Sequence, residues 1–154
     1  MAIIDDKWVR RFLDLAHEHA SWSKDPNSKI GAVAVDPRTK RILSSGYNGF
    51  PKGIADTEER LNDRPVKLSL VVHAEANLIY NATRSGVSLD GACLFVWGLP
   101  VCLECAKAIV QVGIQQVFIT ESCINKSDFW KQSWENTKAL FDEAGVSFTI
   151  VSDI

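Results

Sequence analysis

Two short segments gather the side chains that can do chemistry: His73-Ala74-Glu75 and Pro100-Val101-Cys102-Leu103-Glu104-Cys105. One imidazole and two thiolates are soft-to-borderline ligands suited to Zn²⁺, and three of them leave the fourth tetrahedral position open to water. A structural zinc site ordinarily has four protein ligands, so three ligands beside a carboxylate favour catalysis. Glu75, two residues after His73, is placed to reach a metal-bound water rather than the metal, where it can take a proton and return it to a substrate nitrogen. Each part alone is weak. A lone His is more often a satisfied core or surface residue, and a Cys-x-x-Cys pair serves redox chemistry, metal binding and plain packing alike. Leu103-Glu104 gives no hint of the Gly-Pro type of turn that a redox pair prefers. The two segments together are far more specific than either. Cys93 and Cys123 stand apart and read as small buried apolar residues.

These segments need elements to hold them. Residues 7–20 place Trp8, Phe12, Leu15, Ala16 and His19 at helical spacing, and the turn chemistry of residues 23–28 stops that helix. Residues 29–36 and 41–46, joined by a Pro-Arg-Thr-Lys turn, read as an antiparallel hairpin. A Gly/Pro-punctuated loop follows and continues as a polar stretch to Lys67. After it come a helix over 73–84, a strand over 92–97, a helix over 102–112, a strand over 116–120, a helix over 128–143 and a strand over 146–152. Short strands alternating with helices imply parallel pairing through crossovers. The expected fold is a single domain over residues 1–154, a three-layer α/β/α sandwich on a central mixed sheet of about five strands. Both chemical segments then open helices at one end of the sheet, where α/β sheets bind ligands and helix N-termini stabilise thiolates.

Composition narrows the partners. The 154 residues are 46% hydrophobic and 23% charged, with 17 Lys+Arg against 19 Asp+Glu for a formal net charge of -2. A nucleic-acid binder usually carries a basic excess, so none is expected here. No apolar run reaches the roughly 18 residues of a membrane span, and the start lacks the basic and apolar regions of a secretory signal. A cytoplasmic protein with reduced thiols is the expectation. Five Trp is high for this length, and Trp22, Trp130 and Trp134 near helix ends suit either an interface or the core.

The His-x-Glu and Pro/Cys-x-x-Cys pattern resembles the signature of zinc-dependent nucleobase deaminases. Further stretches, Ser23-Lys24-Asp25-Pro26-Asn27-Ser28, Ile30-Gly31-Ala32-Val33, residues 46–53, residues 73–77 and residues 102–107, are similar to the deoxycytidylate branch of the cytidine/deoxycytidylate deaminase superfamily over nearly the whole chain. The resemblance implies a cytidine deaminase-like fold and hydrolysis of dCMP to dUMP and ammonia, with a zinc-bound hydroxide and a Glu proton shuttle. It implies one Zn²⁺ per chain on His73, Cys102 and Cys105, with Glu75 as the shuttle. Asn48 would hydrogen-bond the pyrimidine or its sugar, and backbone groups at Ala74, Leu99 and Pro100 would hold the base edge and the departing amine. Ser23, Lys24 and Asn27 would lie near the phosphate, and Asn77 would either orient the site or act structurally. The resemblance also implies a homo-oligomer and regulation by dCTP and dTTP through the Gly-rich loop. Alternatives are a deaminase of another aminated ring, such as a modified cytosine nucleotide, nucleoside, base or purine analogue, and a non-catalytic zinc domain using Cys93 or Cys123 as a fourth ligand. A tRNA substrate fits poorly with the acidic balance and with residues 142–154, which hold no Lys or Arg. One departure stands out: Val101 lies between Pro100 and Cys102, where the family pattern has Pro directly before the first Cys.

Overall fold

The computed structural model describes the backbone of residues 4–124 and 128–153, with the side chains of residues 124–130 left aside. Helix α1 (Asp6–Ala20) leads into strands β1 (Gly31–Val35) and β2 (Ile42–Tyr47). Two short helices, α2 (Glu58–Asn62) and α3 (Arg64–Leu70), precede α4 (Ala74–Ser85). Then come β3 (Cys93–Trp97), α5 (Leu103–Gln111), β4 (Gln116–Thr120), α6 (Glu121–Ile124), α7 (Asp128–Ala144) and β5 (Ser147–Val151).

The sheet runs in the order β2-β1-β3-β4-β5. β1 is antiparallel to both neighbours, and β3, β4 and β5 are mutually parallel. Alternation of side chains sorts the strands onto two cores. Ala32, Ala34, Leu94, Val96, Val117 and Ile119 face Leu78, Ala82, Ile109 and Phe141 of α4, α5 and α7. Val33, Val35, Cys93, Phe95 and Phe118 face Phe12, Leu13 and Ala16 of α1. Helices therefore cover both faces, and the three-layer mixed sandwich expected from the alternating pattern is the fold observed. Covering both faces explains why β1, β3 and β4 are almost wholly apolar. Phe95 anchors the α1 side, stacked at 4.9 Å on Phe118 and tilted at 5.3 Å against Phe12.

Residues 56–67, read from sequence as a polar loop, instead contain α2 and the start of α3. No apolar periodicity betrays them, since α2 buries nothing and α3 buries only Lys67. Caps define them. The Thr57 hydroxyl accepts from the Arg60 amide at 3.2 Å, and the Asp63 carboxylate from the Val66 amide at 3.4 Å, with Pro65 in the first turn. Those are helix-start signals that a hydrophobicity reading passes over. The one-turn helix α6 is likewise unannounced by the pattern. Of the three tryptophans weighed from sequence, Trp134 is core, Trp22 is half-exposed and edge-on to Tyr47, and the Trp130 side chain lies outside the described residues.

Close approach of β2 to α4 fixes where α4 begins. A Cβ on Gly46 would stand 2.6 Å from both the Ala74 carbonyl oxygen and the Leu78 amide nitrogen, so only hydrogen fits. Three side chains then stitch the pair together. Ser44 Oγ donates to the Leu78 carbonyl (2.7 Å), Asn81 Nδ2 to the Ser45 carbonyl (2.8 Å) and Asn77 Nδ2 to the Tyr47 carbonyl (2.9 Å). Of the two roles weighed for Asn77, its hydrogen bonds are structural.

Candidate metal centre and substrate cavity

Register brings the chemical residues to one end of the sheet. Gly31 pairs with both Trp97 and Tyr47, so residues 30, 48 and 98 follow or precede the sheet at the same edge. The C-terminal end of β3 opens there, and α4 and α5 start beside it. His73 is the N-cap of α4 and Cys102 the N-cap of α5, both with extended backbone. Cys105 lies one turn further into α5.

The three side chains converge. His73 Nδ1 lies 3.4 Å from Cys102 Sγ and 3.5 Å from Cys105 Sγ, and all three ligand atoms fall within 4.8 Å of one another. A tetrahedral zinc with bonds of about 2.05 Å to nitrogen and about 2.3 Å to sulfur would separate N from each S by about 3.5 Å, so the donors fit the ion without rearrangement. The local electrostatics agree. Cys102 Sγ accepts from the Cys105 amide at 3.4 Å. The Cys105 thiol, with help from His73, holds Cys102 down at about 4, and the same shared proton together with burial pushes Cys105 up. Two sulfurs this close do not both ionise unless a cation lies between them. The hydrogen bond to Cys102 raises the His73 pKa against the effect of burial.

Among the described residues no fourth His, Cys, Asp or Glu joins this cluster. Cys93 packs against the α1 side of the sheet, and Cys123 Sγ lies 3.1 Å from Thr120 Oγ1. Both are buried, as the sequence suggested. Burial raises Cys93 to about 11. The alternative of a closed, four-ligand zinc domain therefore lacks its ligand.

Glu75 stands in the first turn of α4, 4% exposed, outside the ligand cluster but on the wall of the same cavity. Desolvation raises its carboxyl to about 7, with the charge of His73 opposing. The cavity holds about 140 Å³ and is lined at the metal end by His73, Ala74, Glu75, Leu99, Pro100 and Cys102. Asp25, Asn27, Ser28, Asn48, Arg64 and Lys67 also line it.

Not every residue singled out from sequence reaches this space. Asn48 does, although its side chain also holds the loop. Its Oδ1 accepts from the Ile30 amide at 2.9 Å, and its Nδ2 donates to the Ser28 carbonyl at 2.8 Å. That leaves one amide hydrogen and one lone pair for a ligand. Ser23 Oγ is buried, donating to the Asn48 carbonyl at 2.9 Å and accepting from the Asp25 amide at 3.2 Å. Lys24 pairs with Asp56 at 3.1 Å and lines a neighbouring cleft with Trp22, Tyr47 and Lys52. Asn27 lines the cavity itself. Sequence reasoning missed Arg64 and Lys67, because their segment read as loop. The caps of α3 were the signal available.

Val101, the residue inserted against the family pattern, is wholly buried, and its carbonyl accepts from Thr137 Oγ1 of α7 at 2.9 Å. The extra residue is thus turned into the core, while Leu99 and Pro100 remain on the cavity wall. Gly98 makes the preceding bend with φ of 125°, where a Cβ would meet the Lys29 carbonyl oxygen at 2.6 Å.

Known proteins align with this arrangement. Residues 6–121 match the family described as "Cytidine and deoxycytidylate deaminase zinc-binding region". The human deoxycytidylate deaminase is 39% identical over 151 residues, covering 92% of this chain and 78% of its own. An uncharacterized deaminase in the luxG 3′ region of Aliivibrio fischeri is 36% identical over 143 residues, covering 93% and 92%. The crystal structure of the dCMP deaminase of cyanophage S-TIM5, in complex with dCMP and dUMP, superposes with a TM-score of 0.74 at 22% identity, over 97% of this chain and all of that one. A three-ligand zinc cluster, a buried glutamate beside it and these relatives agree: the chain belongs to the cytidine and deoxycytidylate deaminase zinc-binding family.

Proposed function

We propose that the protein hydrolyses dCMP to dUMP and ammonia. The observation that carries the proposal is a buried carboxyl beside a three-donor metal cluster, both opening into one cavity. The relatives named deoxycytidylate deaminases support the choice of substrate. His73, Cys102 and Cys105 would hold the zinc, which when bound supplies a Lewis acid able to bring the pKa of water from 15.7 towards 7.

The chain's own part is orientation and proton transfer. Glu75, desolvated and close to neutrality in pKa, accepts a proton from the attacking water and delivers it to N3 of the cytosine. Oxygen adds at C4; Glu75 then takes the second proton from the C4 hydroxyl and hands it to the amine as the C4–N bond breaks and C4=O forms. Water and dCMP become dUMP and ammonia, with the carboxylate regenerated. Leu99 and Pro100 close the cavity over the ring, and the remaining valences of Asn48 are available to the pyrimidine or sugar. Thiolate ligands suit the reducing cytoplasm, and a homo-oligomer under dCTP and dTTP control belongs to the same reading.

The test is a turnover panel of dCMP, deoxycytidine, cytosine and a purine analogue, read by ammonia release with zinc content measured alongside. Glu75→Gln should retain zinc and lose at least 10²–10⁴ in kcat, the usual worth of a proton-transfer group. Near-native turnover of dCMP by this variant would remove the shuttle role. Failure of the wild-type protein to release ammonia from dCMP would remove the substrate.

A further inference from the structure

Outside the metal cluster and Glu75, the fixed charges that line the cavity do not balance. Three such charged side chains line it: Asp25, Arg64 and Lys67. Lys67 is 4% exposed and Asp25 6%, and Lys67 Nζ donates to Asp25 Oδ1 at 3.1 Å. Asp25 Oδ1 also accepts from the Asn27 and Ser28 amides at 2.8 and 3.0 Å. These two charges are neutralised within the protein. Arg64 is different. It makes no hydrogen bond or ion pair with any described residue, so its guanidinium leaves one uncompensated positive charge on the wall. Asn27 and Ser28 line the same cavity, and neither the Asn27 side-chain amide nor the Ser28 hydroxyl has a partner among the described residues. A planar cation and two neutral polar groups lining one cavity suit an anion with several acceptor oxygens, since guanidinium forks onto phosphate bidentately.

The other basic residues of this flank do not serve. Lys24 is paired with Asp56, and with Lys52 it lies in the neighbouring cleft. Asp25, Asn48, Lys67 and Val71 line both spaces and so separate that cleft from the cavity. Lys29 donates to the Ser23 carbonyl at 2.5 Å.

We propose that Arg64 is the specificity-determining residue that reads the phosphate of a nucleoside monophosphate, assisted by Asn27 and Ser28, with the Lys67–Asp25 pair holding the Arg64-bearing helix over the cavity. The inference rests on the reading of the cavity as a deaminase site for a nucleotide. It states which residue makes that site prefer a nucleotide to a nucleoside.

The experiment compares wild type, Arg64→Gln and Arg64→Lys in two assays on the zinc-loaded protein. The first measures kcat/KM for dCMP and for deoxycytidine. The second measures binding of dUMP and of deoxyuridine by calorimetry, with inorganic phosphate as competitor. Arg64→Gln should lower the dCMP-to-deoxycytidine preference by roughly 10- to 100-fold, the range of a charge-assisted hydrogen-bonded contact. It should weaken dUMP binding by a similar factor and abolish competition by phosphate, and Arg64→Lys should recover part of each. Unchanged melting temperature and zinc content establish that the variants are folded. A preference ratio within twofold of wild type, or wild-type binding of dUMP no tighter than deoxyuridine, overturns the role of Arg64 while leaving the deaminase reading intact. Arg64-dependent dUMP binding without any ammonia release overturns the deaminase reading and leaves the phosphate site standing.

Discussion

The two walls of the cavity are built by different physics. The metal wall is set on the hydrophobic core: Ala74, Leu78, Cys105 and Ala106 are buried, and β2 approaches α4 so closely that residue 46 has no side chain. The other wall is held by polar bonds. Asp25, Lys67 and Asn48 are buried there, with Ser23 behind them, each satisfied by a hydrogen bond to another segment or its own turn. Packing fixes atoms within narrow limits because interiors are dense, which suits donors that must meet at 3.4 and 3.5 Å. Polar stitching instead leaves groups such as Arg64 at the surface with valences open. One wall is shaped for chemistry and the other for recognition.

Breaking the metal wall should have the largest effect. Cys105→Ser removes a thiolate from the cluster, and we expect loss of bound zinc, loss of activity and a lower melting temperature, measured by metal analysis and calorimetry. Stoichiometric zinc in that variant would mean that the cluster does not hold the ion as described. The polar wall should fail in a different way. Lys67→Met leaves Asp25 buried and unpaired, which costs about 3–5 kcal/mol, whereas the double variant Asp25→Asn, Lys67→Met should recover much of this. Denaturant midpoints of the single and double variants give the comparison, with zinc content expected to stay near one per chain throughout. A single variant as stable as wild type would show that the pair does not hold this wall.

The smallest effect belongs to a residue on neither wall. Burial raises Cys93 to about 11 against an ordinary thiol value of 9.0. The folded thiol thus keeps its proton while the unfolded one loses it, so stability is complete below pH 9 and falls as pH rises towards 11. The fall reaches about 3 kcal/mol at most. Cys93→Ala should flatten the alkaline limb of a stability-versus-pH curve, and identical limbs would refute the assignment.

The same contrast explains what the sequence discloses. His73-x-Glu75 and Cys102-x-x-Cys105 are legible because each pair sits within one helical turn at a helix start, and α5 follows the apolar strand β3. The layers are legible because β1, β3 and β4 are continuous apolar runs between helical patterns. The polar wall is assembled from residues up to 42 positions apart, as in the Lys67–Asp25 pair, and no local pattern announces such a partner. Ser23 shows the difficulty. Its type and position suit an anion, yet its hydroxyl is directed to the Asn48 carbonyl. Arg64 was hidden by the brevity of α3, a helix defined by its cap and its proline rather than by a buried face.

The hydrogen bond from Thr137 to the Val101 carbonyl gives α7 a part in this. The family match ends at residue 121, and α7 lies beyond it. Thr137 is wholly buried and grips the residue immediately before the first cysteine ligand. Helix α7 therefore acts as a buttress: it bears on the cysteine loop from behind, and a sequence change there would be felt at the metal cluster although none of its described residues belongs to that cluster or lines the cavity. The loop's extra residue and the helix that receives it form one mechanical unit, and they would be expected to vary together.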